Sequence, residues 1–255
     1  MRLNRLFARS CWGIVLAKIA RVPTGIPNLD GLIDGGFPRG SVILLTGDPG
    51  VGKTIFGLQY LYVGALEYGE PGLYLTAEEF PEELKLTAQQ FNWDVMSLEE
   101  SGKFYFLDLA SGRIRLPSKA LTSKAPFDPD TVLVELLDAV RKMGIQRVVV
   151  DSLPGVLLTI DDARVARRFL HRMISAMKIL RTTTLLISES YDGATNAYPH
   201  LLSGEFLSSG LIRMYFEREG EKLVRKMLIQ KMRYTPLNLR PYTVEITSHG
   251  LVVIV

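Results

Sequence analysis

The chain has 255 residues, 47% of them apolar, enough for one large α/β domain or two small ones with a sizeable core. Lysine and arginine number 30 against 27 aspartates and glutamates, a balance too even to argue by itself for a nucleic-acid partner. Cys11 is the only cysteine, which excludes a disulfide framework and cysteine-based zinc sites, and His171, His200 and His249 show no metal-ligand spacing.

Arg2, Arg5 and Arg9 precede a short apolar run from Cys11 to Ala17, an arrangement that superficially resembles a secretion signal. Lys18 and Arg21 interrupt the run, and no small-residue cleavage site follows. Residues 1–20 are therefore expected to be a poorly ordered extension, with an amphipathic contact helix as the alternative, and no membrane span is expected. Residues 21–255 are expected to form one domain. It opens on turn-rich sequence in which Gly35, Gly36 and Gly40 bring the chain round into an apolar run at 41–46.

That run is short enough for a buried strand. It leads into Gly47-Asp48-Pro49-Gly50-Val51-Gly52-Lys53-Thr54, which reads G-x-x-x-x-G-K-T. Ile55 opens a segment whose apolar residues recur at helical spacing. Strand, loop and helix together are the context that a phosphate-binding loop requires. Gly47, Gly50 and Gly52 allow backbone angles that a Cβ would forbid. The backbone from Asp48 to Thr54 and Ile55 is then set to cradle the phosphates of ATP, helped by the positive end of the helix. Lys53 is expected to reach the β- and γ-phosphates, and Thr54 to hold Mg²⁺.

A second strand at 73–76 ends in Ala77-Glu78-Glu79. Adjacent carboxylates at a strand end point in different directions, so at most one is expected to face the phosphates. There it would orient or deprotonate the attacking water. A solvated helix start is the competing reading, because Pro81 and further glutamates follow. Residues 81–91 have helical periodicity, and 104–108 read as a third strand. The segment 110–130 carries Arg113, Arg115, Lys119 and Lys124 and is long for a loop. Its plain reading is a solvated surface loop.

A helix at 131–143 precedes Arg147-Val148-Val149-Val150-Asp151, an apolar strand ending in aspartate. At this distance behind a phosphate loop, Asp151 is expected to bind Mg²⁺ opposite Thr54, with Ser152 in support. Residues 161–180 read as a basic helix, solvated or facing another subunit rather than nucleic acid. A fifth core strand covers 183–188, with Glu189 at its end and a loop at 191–204 beyond it. The runs at 211–216, 223–232, 242–247 and 251–255 then read as consecutive strands, with a hairpin connection at 217–222. The fold class is thus α/β: a mostly parallel central sheet with helices on both faces and a C-terminal antiparallel β extension. The phosphate loop occurs once, and there is no internal repeat.

These residues, in order, resemble a known family. Arg21-Val22-Pro23-Thr24-Gly25-Ile26, Leu29-Asp30, Gly35-Gly36, the phosphate loop, Thr76 with Glu78-Glu79, Val150-Asp151-Ser152 and Lys231-Met232-Arg233 are similar to the motifs of KaiC-like proteins. Those belong to the RecA superfamily of ATPases. The resemblance runs from about Arg21 to Val255 and looks closer to the archaeal KaiC-like, RadC-type recombinase paralogues than to the two-domain clock protein. It implies a RecA-like P-loop NTPase core, Mg²⁺-dependent ATP hydrolysis, a cytoplasmic location and assembly into rings, usually of six. It implies that Glu78 and Glu79 activate water, beside Lys53 on the phosphates. It also implies that Lys231 and Arg233 reach a neighbouring subunit's nucleotide. Their alternation along a strand puts both on one face; without the resemblance they would read as solvated charges.

Departures from the family pattern matter. Glu205-Phe206 stands where clock proteins carry a phosphorylated Ser-Thr pair, which speaks against autophosphorylation there, and Ser209 replaces a common acidic residue. Three readings stay open: an ATPase ring, a recombination accessory that binds single-stranded DNA, and a nucleotide-gated ring with a protein partner. For DNA, the candidate contacts are Arg113, Arg115, Lys119 and Lys124, since 191–204 carries no lysine or arginine.

Overall fold

The structure is a computed structural model that describes residues 19–114, 118–189, 205 and 207–255. The expectations for 1–18, Arg115, the loop at 191–204 with His200, and Phe206 lie outside the described residues. The chain opens with β1 (Arg21–Val22), α1 (Leu29–Leu32) and β2 (Phe37–Pro38), where β1 and β2 pair as a small antiparallel sheet. Then come β3 (Val42–Gly47), α2 (Lys53–Glu67), β4 (Gly72–Thr76), α3 (Pro81–Gln89), α4 (Val95–Glu100) and β5 (Phe104–Asp108). They are followed by α5 (Ala110–Ile114), β6 (Leu121–Thr122), α6 (Pro129–Met143), β7 (Arg147–Asp151), α7 (Leu153–Leu157), α8 (Ala163–Ile179) and β8 (Thr183–Glu189). The chain closes with β9 (Gly210–Glu219), β10 (Lys222–Met232), β11 (Pro241–Thr247) and β12 (Gly250–Ile254).

These strands form a ten-stranded sheet in the order β12-β11-β10-β9-β3-β8-β7-β4-β5-β6. From β9 to β6 every neighbouring pair is parallel, and from β9 to β12 every pair is antiparallel. The expected parallel core with an antiparallel edge is what the chain forms. Every residue of β3 and β4 is buried, as a parallel strand covered on both faces requires. One face packs against α2, α3 and α4 through side chains such as Phe56, Tyr60, Leu61, Leu84 and Leu98. The other packs against α6 and α8 through Leu133, Leu136, Phe169, Leu170 and Met173, each contributing on the order of 1.5–3 kcal/mol by burial.

Three local readings are corrected. The segment 110–130 is not an unbroken loop: α5 and β6 lie in it, and β6 forms the edge of the sheet. The β9–β10 connection is also tighter than the run 217–222, because both strands continue to Glu219 and Lys222. Charged residues hide that ribbon in the sequence, yet they pair within it: Lys226 lies 2.6 Å from Glu219 and 3.8 Å from Glu217. Finally, Arg233 falls one residue past the end of β10.

At the N-terminal ends of the parallel strands sits a buried charge cluster. Arg147, fully buried at the start of β7, donates to Glu70 Oε2 at 2.7 Å and to the carbonyls of Pro23 and Tyr60 at 2.9 Å. Arg39 donates to the other oxygen of Glu70 at 2.6 Å. The guanidinium of Arg147 also lies over the rings of Tyr60 and Tyr68. A Cβ on Gly64 would meet Arg147 at 2.4 Å, so only glycine leaves room for this side chain.

Candidate active site

The opposite, C-terminal ends of β3, β8, β7 and β4 open into a cleft of about 180 Å³, lined by Pro49, Lys53, Thr54, Thr76, Glu78, Glu79, Asp151, Ser152, Ser188 and Glu189. In an open parallel sheet this is the edge where ligands bind. The phosphate loop turns here. Gly52 has φ 107° and caps α2 without a side-chain bond, so the first amides of the helix keep no partner within it. Gly47 serves differently from the expected backbone freedom, since its φ is not positive. A Cβ there would lie 2.4 Å from the Met214 carbonyl of β9. Asp48 fastens the loop to β9 by accepting from the Phe216 amide at 3.1 Å. Val51 is fully buried in the core, so it offers a ligand only backbone.

Lys53 folds over the loop, donating to the carbonyls of Gly47 and Asp48 at 2.8 and 2.9 Å. Burial lowers its pKa, and the charges of Asp151, Glu189, Asp48 and Glu78 oppose that shift. Thr54 donates from Oγ1 to Asp151 Oδ2 at 2.9 Å and lies 3.3 Å from Glu79 Oε1. Tyr74 donates to the same Asp151 oxygen at 2.5 Å. Burial raises the pKa of Asp151, against its hydrogen bonds from Tyr74 and Thr54. Burial also raises Glu79, and the Asp151 charge adds to it. These crowded hard oxygens call for a cation. Among the described residues no group of three or more His, Cys, Asp or Glu forms a metal cage. A hydroxyl, a carboxylate and waters, completed by phosphate oxygens, are the donor set that suits Mg²⁺.

Glu78 and Glu79 both line the cleft and, as expected of adjacent carboxylates at a strand end, point in different directions. Glu79 is held by its carbonyl, which accepts from Thr76 Oγ1 at 2.5 Å, and turns toward Thr54. Glu78 turns toward β7, where Ser152 Oγ donates to its Oε1 at 2.5 Å. The same Ser152 oxygen caps α7 by accepting from the Gly155 amide at 3.1 Å. Glu82 and Glu83, not Glu78 and Glu79, belong to the helix start: α3 begins at Pro81, and Glu83 accepts from the Phe80 amide.

One cleft residue, Ser188, and one buried residue behind the cleft, Tyr74, carried no motif. Ser188 is the penultimate residue of β8 beside β3, and its buried hydroxyl, which has no partner among the described residues, lines the cleft. The polar end of a strand neighbouring the phosphate loop was the available signal. Tyr74 had none, since an aromatic residue in a buried strand reads as core.

Lys231 and Arg233 lie elsewhere. Lys231 pairs with Leu211, which pairs with Leu44, whereas the phosphate loop starts level with Met214. At about 3.3 Å per residue the pair sits roughly 10 Å below its own loop, toward the other end of the sheet. Lys231 donates to the carbonyls of Glu205 and Ser208 at 3.0 and 2.7 Å, beside Lys178, which donates to Leu207. Burial lowers the pKa of Lys231, and the charges of Arg233 and Lys178 lower it further.

The DNA quartet also loses a member. Arg113 aims its donors at the backbone carbonyls of Ala77, Gly155 and Pro126, not at solvent, while Lys119 and Lys124 are exposed.

An open parallel sheet, a G-x-x-x-x-G-K-T loop at one strand end and an aspartate bonded to the loop threonine from another define a P-loop nucleotide-binding domain. A family model described as "ATPase: KaiC" matches residues 22–255, and the chain belongs to that family, within the RecA superfamily. It is 36% identical over 239 residues to a UPF0273 protein of Aeropyrum pernix, covering 92% of this chain and 94% of that one. It is 32% identical over 235 residues to the circadian clock oscillator protein KaiC of Synechococcus elongatus, but spans only 44% of that longer protein. Among solved structures, a KaiC-like protein of Pyrococcus horikoshii OT3 superimposes with a TM-score of 0.79 at 32% identity, covering 93% of this chain and all of the other. Among the described residues no helix is long and apolar enough to cross a membrane.

Proposed function

We propose that the chain is a Mg²⁺-dependent ATPase whose sites are completed between subunits of a cytoplasmic ring, with six copies as the expected number. The observation that carries this reading is the convergence of Lys53, Thr54, Asp151, Glu78 and Glu79 on one cleft. The loop backbone and Lys53 bind the triphosphate. Thr54 and Asp151 would hold Mg²⁺, which would supply charge neutralisation at the phosphate oxygens. Glu78 or Glu79 orients a water in line with the γ-phosphorus and accepts its proton. The new P–O bond forms as the bond to the β–γ bridging oxygen breaks, giving ADP and phosphate.

The position of Lys231 and Arg233 supports a shared site. They stand too far along the sheet to serve their own loop, and together with Lys178 they gather positive charge at the other end. In a ring that end meets the next subunit's nucleotide, where the pair neutralises γ-phosphate charge. Subunit mixing tests the arrangement. Lys53→Ala and Lys231→Ala/Arg233→Ala chains are each expected to be inactive alone and to regain turnover when mixed, because some interfaces then carry an intact loop facing an intact basic pair. No recovery in mixed assemblies of confirmed composition contradicts the shared site.

A further inference from the structure

Arg113 is the one cation of the sheet-edge excursion, among the described residues, whose head is committed to the active-site side. Its Nη1 donates to Ala77 O at 2.9 Å and its Nη2 to Gly155 O at 2.6 Å. Its Nε donates to Pro126 O at 3.3 Å, and the guanidinium carbon lies 5.6 Å from the centre of the Phe127 ring. The excursion thus seats the side chain, and the two forward donors span two loops.

Both loops hold Glu78. Ala77 precedes it in the chain, and the Ala77 amide is fixed to the Asp151 carbonyl at 2.7 Å. Gly155 donates to the Ser152 hydroxyl that in turn donates to Glu78. Gly155 is also in contact itself: a Cβ there would lie 2.7 Å from Ala77 Cβ and 3.1 Å from Glu78 Oε1. The gap between the β4 and β7 loops is therefore the seat of the Glu78 carboxylate, and one guanidinium sets its width. A planar fork suits two carbonyls at fixed spacing, whereas a lysine ammonium is a point charge on a flexible stem.

We infer that Arg113 is a positioning residue for Glu78, bridging the Ala77 and Gly155 carbonyls so that the carboxylate is held against the Ser152 hydroxyl. This deepens the hydrolytic reading above and rests on it for its effect on rate. Arg113, seated by Pro126 and Phe127, thereby supports the catalytic loop from the sheet edge.

The test uses the full chain with Arg113→Lys and Arg113→Ala. With MgATP, Arg113→Lys is expected to lower kcat by about 10²-fold, the scale of an ångström-sized misplacement, while KM and nucleotide affinity stay unchanged. Ethylguanidine is expected to restore turnover to Arg113→Ala and not to Arg113→Lys. A readout independent of turnover is the carboxyl ¹³C resonance of Glu78 in glutamate-labelled protein, assigned by its loss in Glu78→Gln. It is expected to shift and broaden in Arg113→Lys at unchanged melting temperature. If the wild type hydrolyses no ATP but the resonance still moves, the ATPase reading falls and the positioning role stands. If kcat and the resonance both stay as in the wild type, or if nucleotide affinity and melting temperature fall in step with kcat, the positioning role is overturned.

Discussion

The two ends of one parallel sheet treat charge in opposite ways. At the N-terminal end Glu70 faces two arginines, one of them fully buried. Burial alone would raise its pKa, but the hydrogen bonds from Arg39 and Arg147 outweigh it and hold the carboxyl below its ordinary value. At the C-terminal end Asp151 and Glu79 both line the cleft, and burial holds both above theirs, with the Asp151 charge adding to the rise at Glu79 and the Glu78 charge to that at Asp151. At the first end the Glu70 carboxylate is paired within the chain, although Arg147 Nη2 is buried with no hydrogen-bond partner among the described residues. The second gathers carboxylates whose charge the proposed Mg²⁺ would offset. A buried ionic group that satisfies itself belongs to the fold; one that does not marks the working site.

The largest break comes from Lys53→Ala. It removes the cation facing the cleft carboxylates and is expected to lower turnover by about 10³-fold, the cost of losing a main electrostatic donor. Denaturant midpoints are expected to move little, which separates this end from the other. Arg147→Ala breaks the paired end. It leaves the Glu70 carboxylate short of a buried partner and is expected to cost about 3–5 kcal/mol in urea unfolding. A loss under about 1 kcal/mol there contradicts the structural role.

Acidity sharpens the contrast. The stability contributed by Glu70 is present above its unfolded-state pKa of about 4.3 and is lost as pH falls through the lower folded value. Asp151 and Glu79 act with the opposite sign: their contribution is full below the ordinary carboxylate range and is lost as pH rises through their raised values. Glu70→Gln is therefore expected to flatten the acid side of the stability curve of the nucleotide-free protein. An unchanged acid slope, followed by circular dichroism, speaks against the Glu70 cluster. The smallest effect belongs to neither end. Arg172 and Asp130 pair at 2.8 Å with both side chains more than half exposed, and Arg172→Ala is expected to shift stability by no more than about 0.5 kcal/mol.

The paired end was invisible in the sequence, and the cleft end was largely legible. Gly47 to Thr54 announces itself because the loop's geometry demands those residue types in that order. Asp151 follows from its place behind the loop. Glu70, Arg39 and Arg147 are far apart in sequence and share no spacing, so only the sheet brings them together. The same holds for Tyr74 and Arg113, which reach the site through strand register and a sheet-edge excursion. The runs at 242–247 and 251–255 predicted β11 and β12 to within a residue at each end, whereas the charged β9–β10 ribbon disguised its length and the four- to six-residue helices α1, α4 and α7 were too short to show a period.

The most direct measurement is Mg²⁺-dependent ATP turnover by the wild type and by Glu78→Gln/Glu79→Gln, with nucleotide affinity and molecular mass recorded on the same samples. The double variant is expected to bind nucleotide and assemble as the wild type does while hydrolysing it about 10²–10⁴-fold more slowly, the range for loss of a general base. Equal turnover by the two proteins would contradict the assignment of the C-terminal cleft as a hydrolytic site.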